Sequence, residues 1–502
     1  MESEMQSFYK NKTIFITGGS GFLGKVTIEK LLRSTQVKRI YVLVRPKKGV
    51  SIQDRIAAWD KDPLFSELRK SNANFLERIV PIAGDTQLPD LGISCTDRKL
   101  IVNETQILLH LAATVNFDER LYVALDINTR GTRLAVQLAK EMRQLEAFVH
   151  VSTAYSNCVL EHIGETFYPD NLSCSAEKVL ELRELLSNDL IDKLTPGIID
   201  KYPNTYTFTK ALAEQIVQKE AQDLPACIFR PGMILTAYKE PTPGWVDNLL
   251  GPISIFYGCG IGVLRVMLVE KSGISHIVPV DYSANMILSM AWKTAKENAQ
   301  NNGHSVEKQP TVYNFTNSDQ NKLTWGQLAQ SIIQKRHLVP LPNMLWFPFL
   351  KLFSQNWQFQ LAILIYHILP GHFIDFVLRL RGQKPRMINV YKKIHKNIKR
   401  LSPFSLSSWT FEMNNANQLL QSMSPKDREI FQFDMATVDW DEYFTVALFG
   451  MRLYITKEKP TEESLRKATH TFNRFQLYNR ILHVTIFAIL AVLIWGLLKL
   501  FT

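Results

Sequence analysis

Short apolar runs bounded by turn-forming residues, alternating with stretches of helical periodicity, organise the first two thirds of the chain. Lys12 to Ile16 (KTIFI) reads as a strand and runs into Thr17-Gly18-Gly19-Ser20-Gly21-Phe22-Leu23-Gly24, followed by a helical stretch through Leu32. Arg39 to Val44 (RIYVLV), Arg78 to Ile82, Gln106 to Leu111 and Ala147 to Val151 give further strands, with helical segments between most of them. Such alternation predicts a doubly wound parallel sheet covered by helices. A charged insertion of helical pattern spans Glu161 to Lys201. A helix from Asn204 to Lys219 and a strand from Ala226 to Arg230 follow it, and this core continues to about Gln330.

Beyond Leu338 the pattern changes. Aromatic and aliphatic residues dominate from Leu345 to Leu378, interrupted by Ser354-Gln355-Asn356 and Pro370-Gly371, and a basic stretch from Arg379 to Arg400 suits a membrane or phosphate surface. From Ile481 to Leu498 the chain is almost wholly apolar, long enough for a bilayer core of about 30 Å. Arg466, Lys467, Arg474 and Arg480 precede this segment and place everything before it on the cytosolic side. The expected division is therefore residues 1–340 for the α/β unit with its insertion, 341–456 for a smaller helical C-terminal domain, 457–480 for a basic linker and 481–501 for a transmembrane helix.

Composition narrows the function. With 502 residues, 46% apolar and 21% charged, this is a folded multidomain chain, neither a disordered segment nor a many-span transporter. Its net charge of +11 favours anionic partners. The five cysteines form no CxxC pair, so no zinc module or disulfide framework is expected and the catalytic part should lie in a reducing compartment. Met1 to Lys12 carries acids and no apolar run, which argues against a secretory leader.

Gly18, Gly21 and Gly24 stand between a strand and a helix. In that setting glycines let a pyrophosphate approach the backbone and the helix N-terminus, so a dinucleotide is expected. About 20 residues further on, a carboxylate would bind the ribose of NAD. Arg45 stands there instead, with Lys47 and Lys48 behind it, which points to the 2′-phosphate of NADPH. Asp85, after the next strand, is positioned to accept from the adenine amino group. No metal is called for.

Tyr206 and Lys210 lie four apart in a helical stretch and share a face. An ammonium beside a phenol favours phenolate, so Lys210 is expected to tune Tyr206. Thr153, at a strand end, adds a hydroxyl toward the same carbonyl oxygen, whereas Ser152 points the other way. Together with the nucleotide turn these groups suggest hydride transfer. Asp281 reads as a helix N-cap rather than as a catalytic group.

Through TGGSGFLG, Ser152-Thr153 and Tyr206-Thr207-Phe208-Thr209-Lys210 the chain resembles the extended short-chain dehydrogenase/reductase family. More narrowly it is similar to the alcohol-forming fatty acyl-CoA reductases, through Val42-Leu43-Val44-Arg45-Pro46, the run from His110 to Phe117, the run from Val149 to Tyr155, and Phe229-Arg230-Pro231. The likeness reaches the C-terminal unit at Lys384-Pro385-Arg386-Met387 and Tyr391-Lys392-Lys393-Ile394. It implies a Rossmann-like reductase domain in which Thr17, Gly18, Gly21, Phe22, Leu23, Gly24, Arg45, Lys48, Asp85, Ala112, Ala113, Lys210 and Pro231 meet NADPH. Lys210 would hold the nicotinamide ribose, and Tyr206 would donate the proton. It also implies reduction of a long-chain fatty acyl-CoA by two NADPH to a primary alcohol, an aldehyde lying between the steps, at a peroxisomal or endoplasmic reticulum membrane. A lipid membrane is then a partner and nucleic acid is not; protein partners are unspecified. The same scaffold serves sugar-nucleotide and steroid substrates, and a membrane-tethered nucleotide-binding protein without chemistry would share the glycine turn. The C-terminal unit speaks against the first alternative, and the intact Thr153, Tyr206 and Lys210 against the second.

Overall fold

The computed structural model describes residues 3–300, 309–317 and 321–501. The strands expected first are present: β1 (Thr13–Thr17), β2 (Arg39–Val44), β3 (Ile79–Ala83), β4 (Ile107–His110) and β5 (Ala147–Val151). A short β6 (His162–Ile163) precedes β7 (Ala226–Pro231) and β8 (Met233–Leu235). Then come β9 (Val266–Leu268), β10 (Ile277–Pro279), β11 (Thr311–Phe315), β12 (Lys351–Phe353) and β13 (Thr410–Phe411).

Seven strands form one sheet in the order β11-β7-β5-β4-β1-β2-β3, and every pairing is parallel. Parallel strands sheathed on both faces have no polar side, and β1, β5 and β7 are accordingly buried at every position. The winding reverses at β1, which pairs with β2 on one side and β4 on the other. Ligands of doubly wound sheets bind beyond the strand C-termini at such a reversal. Here that places Thr17 and Gly18 beside His110 and Ala112.

The helix Thr205–Glu220 packs Val217 into the core that contains Phe15, Leu108, Phe148 and Ile228. On another side Phe208 and Leu212 meet Val179, Leu180 and Ile191, from the helices Ala176–Leu185 and Asn188–Ile199 of the insertion. The insertion is thus a brace for that helix.

Contacts divide the chain differently from a cut after residue 340. One unit comprises Met1–Pro243, Ile274–Leu323 and Ser408–Val438; the other comprises Gly244–Gly273, Thr324–Ser407 and Asp439–Thr502. The reason is pairing at a distance in sequence. β13 adds to β6, and Asn415 Nδ2 donates to Val312 O at 2.8 Å, so Ser408–Val438 belongs with the sheet. Asp281 also differs from expectation. It lies inside the helix Val280–Gln300, and its buried carboxylate accepts from the amides of Tyr238, Lys239 and Glu240 at 2.9, 2.8 and 3.1 Å, pinning that loop instead of capping its own helix.

The second unit is mainly helical, with β9 and β12 paired in parallel. Among the described residues, two of its helices are long and apolar enough to cross a bilayer, Asn356–Leu380 and Glu462–Gly496. The first runs through Pro370-Gly371, expected as a break, because a π turn at Leu364–Ile368 precedes the proline. The second belongs to a continuous helix, Glu462–Phe501, so the segment expected as a linker is helical from Glu462 onward.

Candidate active site

The site is built at the C-terminal ends of β1, β4 and β5. Gly18 has φ +73°, and a Cβ there would lie 2.6 Å from the Ala112 nitrogen. A Cβ at Gly24 would lie 2.4 Å from Gly18 O. The turn therefore sits against the chain leaving β4, and the first helical turn sits against the glycine turn; neither approach tolerates a side chain. Gly21 is the N-cap of the helix Phe22–Ser34, and no side chain caps that helix. Phe22, Leu23 and Gly24 occupy its first turn, where N–H groups and the helix dipole favour an anion.

Thr17 is held from within. Its hydroxyl shares a hydrogen bond with His110 Nδ1 at 2.8 Å and accepts from the Ala112 amide at 3.3 Å. Burial, helped by the charge of Lys210, drops the His110 imidazole to about 3, so it is neutral. Arg45 and Lys48 lie on an exposed loop after β2, and Arg45 Nε is 4.0 Å from Asp85 Oδ2. Asp85 also accepts from the Gln87 amide at 3.0 Å, as an ordinary turn residue does.

Asn204 caps the helix Thr205–Glu220 by accepting from the Thr207 amide at 2.9 Å, which sets Tyr206 in the first turn and Lys210 in the next. The Tyr206 ring stacks on Phe117 with centroids 5.6 Å apart. Burial pushes its phenol up to about 12, and a hydrogen bond with Thr153 pulls the other way. The phenol thus moves up, opposite to the lowering expected from a neighbouring Lys210, and burial is the cause. The buried Lys210 donates to Val151 O at 2.7 Å. Burial lowers its ammonium to about 8, with Glu214 opposing the shift. Thr153, Tyr206 and Lys210 are thus gathered at the end of β5, while Ser152 turns away and donates to Glu214 at 2.5 Å.

Two positioning residues escaped the sequence reading. Glu214, one turn beyond Lys210, receives Arg230 Nε at 3.0 Å and Nη2 at 2.7 Å. Arg230 also donates to Gly164 O and Thr166 O and so acts as a buried strut, and Pro231 ends β7 beside it, buried. The other is Asn128, in a π turn at Leu125–Arg130. It accepts from the Thr114 amide at 2.9 Å and donates to Thr209 Oγ1 at 3.0 Å, tying the loop that carries Ala112 and Ala113 to the Tyr206 helix. The i+4 spacing of Lys210 and Glu214 was a usable signal; nothing local marked Asn128.

Beyond Thr153, the Tyr155 ring meets Trp409 edge-on at 5.3 Å. Trp409 lines a cleft of about 470 Å³ with Phe315, Phe411, His162, Asn317 and Lys322.

Residues 16–287 and 366–458 each match a family model described as male sterility protein. The chain is 40% identical over 502 residues to fatty acyl-CoA reductase wat of Drosophila melanogaster, covering 100% of this chain and 94% of that one. It is 36% identical to fatty acyl-CoA reductase 1 of Rattus norvegicus (90% and 86% covered) and 35% identical to fatty acyl-CoA reductase 2 of Mus musculus (99% and 93%). Among solved structures, the terminal R domain of the myxalamid PKS-NRPS pathway shares the fold, with TM-score 0.59, 19% identity and coverage of 90% and 93%. The R domain of a non-ribosomal peptide synthetase from Mycobacterium tuberculosis does so with TM-score 0.55, 15% identity and coverage of 90% and 96%. The chain therefore belongs to the fatty acyl-CoA reductase family and is an oxidoreductase with a nicotinamide-binding domain.

Proposed function

We propose that this chain reduces a long-chain fatty acyl-CoA to a primary alcohol and free CoA, using two NADPH and passing through the aldehyde. The observation that carries the reading is the gathering of Thr153, Tyr206 and Lys210 in the unit whose glycine turn lies at the sheet's reversal. The named substrates of the fly, rat and mouse relatives supply the substrate class.

The residues fit the cofactor. Gly18 and Gly24 leave a bare backbone for a pyrophosphate, and the helix behind them lacks a side-chain cap. Arg45 and Lys48 offer exposed cations to a 2′-phosphate, which favours NADPH over NADH. When bound, the reduced nicotinamide supplies hydride to the carbonyl carbon. The chain does the rest. Thr153 and Tyr206 hold the thioester oxygen as negative charge builds on it, the C–S bond breaks, and CoA leaves as the thiol after taking a proton. At the aldehyde Tyr206 gives its phenolic proton to the new alkoxide and regains one from solvent. A phenol held near 12 stays protonated at neutral pH, which suits a donor in the reducing direction. Lys210 would hold the nicotinamide ribose. The cleft beside Tyr155, with aromatic walls and Lys322 at its edge, receives part of the acyl-CoA. The helix beyond residue 480 anchors the protein in a peroxisomal or endoplasmic reticulum membrane, with the catalytic unit in the cytosol.

The test is purified full-length protein with NADPH and palmitoyl-CoA, following cofactor oxidation and lipid product together. Alcohol at two NADPH per acyl group is expected; accumulation of aldehyde at one NADPH, or no acyl-CoA turnover, overturns the proposal.

A further inference from the structure

The helix Asn356–Leu380 passes the length test for a bilayer span, yet its surroundings forbid spanning. Asp375 accepts from the amides of Arg386, Met387 and Ile388 at 2.7, 2.8 and 3.0 Å, which fixes the start of the basic helix Met387–Leu406 to it. That helix then runs back alongside: Gly371 lies against Ile388 and Tyr391, and His367 shares a 2.9 Å hydrogen bond with His395. A membrane-crossing Asn356–Leu380 would carry Lys392, Lys393 and Lys396, all exposed, to the depth of the hydrocarbon.

The opposite face of the helix is apolar and uncovered. Trp357 and Leu361 before the π turn with Ile365 at its start, and Phe373, Phe376 and Leu380 after it, are 47% to 72% exposed. An unbroken helix advances about 100° per residue, so the second trio would be rotated away from the first. The π turn at Leu364–Ile368 absorbs one residue, about 100° of that advance, and returns both trios to one stripe. The same correction brings Phe359, Ala362 and Ile363 into line with Gly371 and Asp375 on the buried face.

Charge identifies the partner. Thr324–Ser407 holds twelve Lys and Arg and one Asp, a net +11 equal to that of the whole chain. The one acid is Asp375, already engaged by backbone amides. Eight exposed Lys and Arg lie between Arg379 and Lys399. The apolar helix is also linked, through residues 346–349, to the stretch of the terminal helix just before the proposed anchor. Trp346 donates to Asn479 at 3.2 Å, Phe347 packs on Phe472 at 5.3 Å, and Phe349 meets Tyr366 of the apolar helix at 5.6 Å.

We infer that Asn356–Leu380 lies in the plane of an anionic phospholipid surface, its apolar stripe sunk among the upper acyl carbons and its basic neighbour over the headgroups. The inference rests on the membrane reading above and deepens it. The stripe and the terminal helix together give two attachments, which orient the helical unit at the surface where long-chain acyl-CoA partitions.

Full-length protein in which Cys95, Cys158 and Cys174 are serine would carry one environment-sensitive fluorophore at Leu361→Cys, Phe373→Cys, Leu380→Cys or Val484→Cys. Each is reconstituted in phosphatidylcholine vesicles, with or without phosphatidylserine, containing nitroxide lipids quenching at shallow or deep positions. Expected is quenching at 361, 373 and 380 that is alike at the three sites and roughly twofold stronger from the shallow quencher, with 484 quenched from the deep one. Depth that rises and falls along 361–380 means spanning and overturns the inference. No quenching at those sites while 484 is quenched also overturns it but leaves the anchor intact, as does a stripe covered by a second copy. No quenching anywhere sinks both. Signals at 361–380 that ignore phosphatidylserine overturn the choice of an anionic surface.

Discussion

At the scale of single residues, protonation decides what the site can do. In the proposed reaction Tyr206 is the donor, because burial keeps its proton, and Tyr206→Phe removes that proton while sparing the stacking on Phe117. Its kcat should fall by about 10²–10⁴, with NADPH affinity unchanged in a binding titration. Lys210 titrates in the opposite sense. Burial lowers its ammonium to about 8, so raising pH through that point strips the charge proposed to hold the ribose. A plot of kcat/KM against pH should therefore descend near 8, and Lys210→Arg, which stays charged, should move the descent upward. Arg45→Ala should weaken NADPH while leaving NADH binding nearly untouched; an unchanged preference would remove Arg45 from the 2′-phosphate. The spacing of Tyr206 and Lys210, and the hydroxyl of Thr153, were legible in the sequence because helix and strand periodicities are local. The direction of the phenol's shift was not. It depends on burial by segments far away in the chain, which a four-residue motif does not contain.

At the scale of elements, the helix Thr205–Glu220 carries the chemistry on one edge and its own support on the next turn. The Glu214–Arg230 pair joins this helix to β7 with both partners buried, and removing one charge leaves the other desolvated. Glu214→Gln should lower stability by about 3–5 kcal/mol, measured by denaturant unfolding, and should disturb Lys210 as well. In the helical unit, a Cβ on Gly450 would lie 1.8 Å from Gly244 O, so the helix Trp440–Gly450 crosses that turn at backbone contact. Gly450→Ala should destabilise by about 1–3 kcal/mol without altering NADPH binding. The strands β1 to β5 and β7 were readable because buried parallel strands are continuous apolar runs. Two kinds of element were hidden: the π turns, which have no residue signature, and the two-residue β13, whose pairing with β6 returns Ser408–Val438 to the sheet.

At the scale of the whole chain, charge is segregated rather than spread. Because Thr324–Ser407 alone accounts for the net +11, the remainder is close to neutral, and attraction to anionic surfaces belongs to one segment of the helical unit. The terminal helix contributes a different force, apolar burial, which salt does not screen. Ending the chain after Arg480 removes the terminal helix and leaves the basic segment with its apolar stripe. Phe472, Phe475 and Asn479 keep their contacts with Trp346 and Phe347, while the residues from Leu482 to Ile489 that are lost are exposed. Such a protein should retain its thermal midpoint to within about 2 °C. In flotation it should still bind phosphatidylserine vesicles at low ionic strength, and roughly 0.5 M salt, where the Debye length shrinks to about 4 Å, should weaken that binding without abolishing it, because the apolar stripe of Asn356–Leu380 remains. The full chain should float with the vesicles at both salt concentrations. If the shortened protein ignores anionic vesicles even at low salt, the basic segment makes no membrane contact and the terminal helix carries the attachment alone.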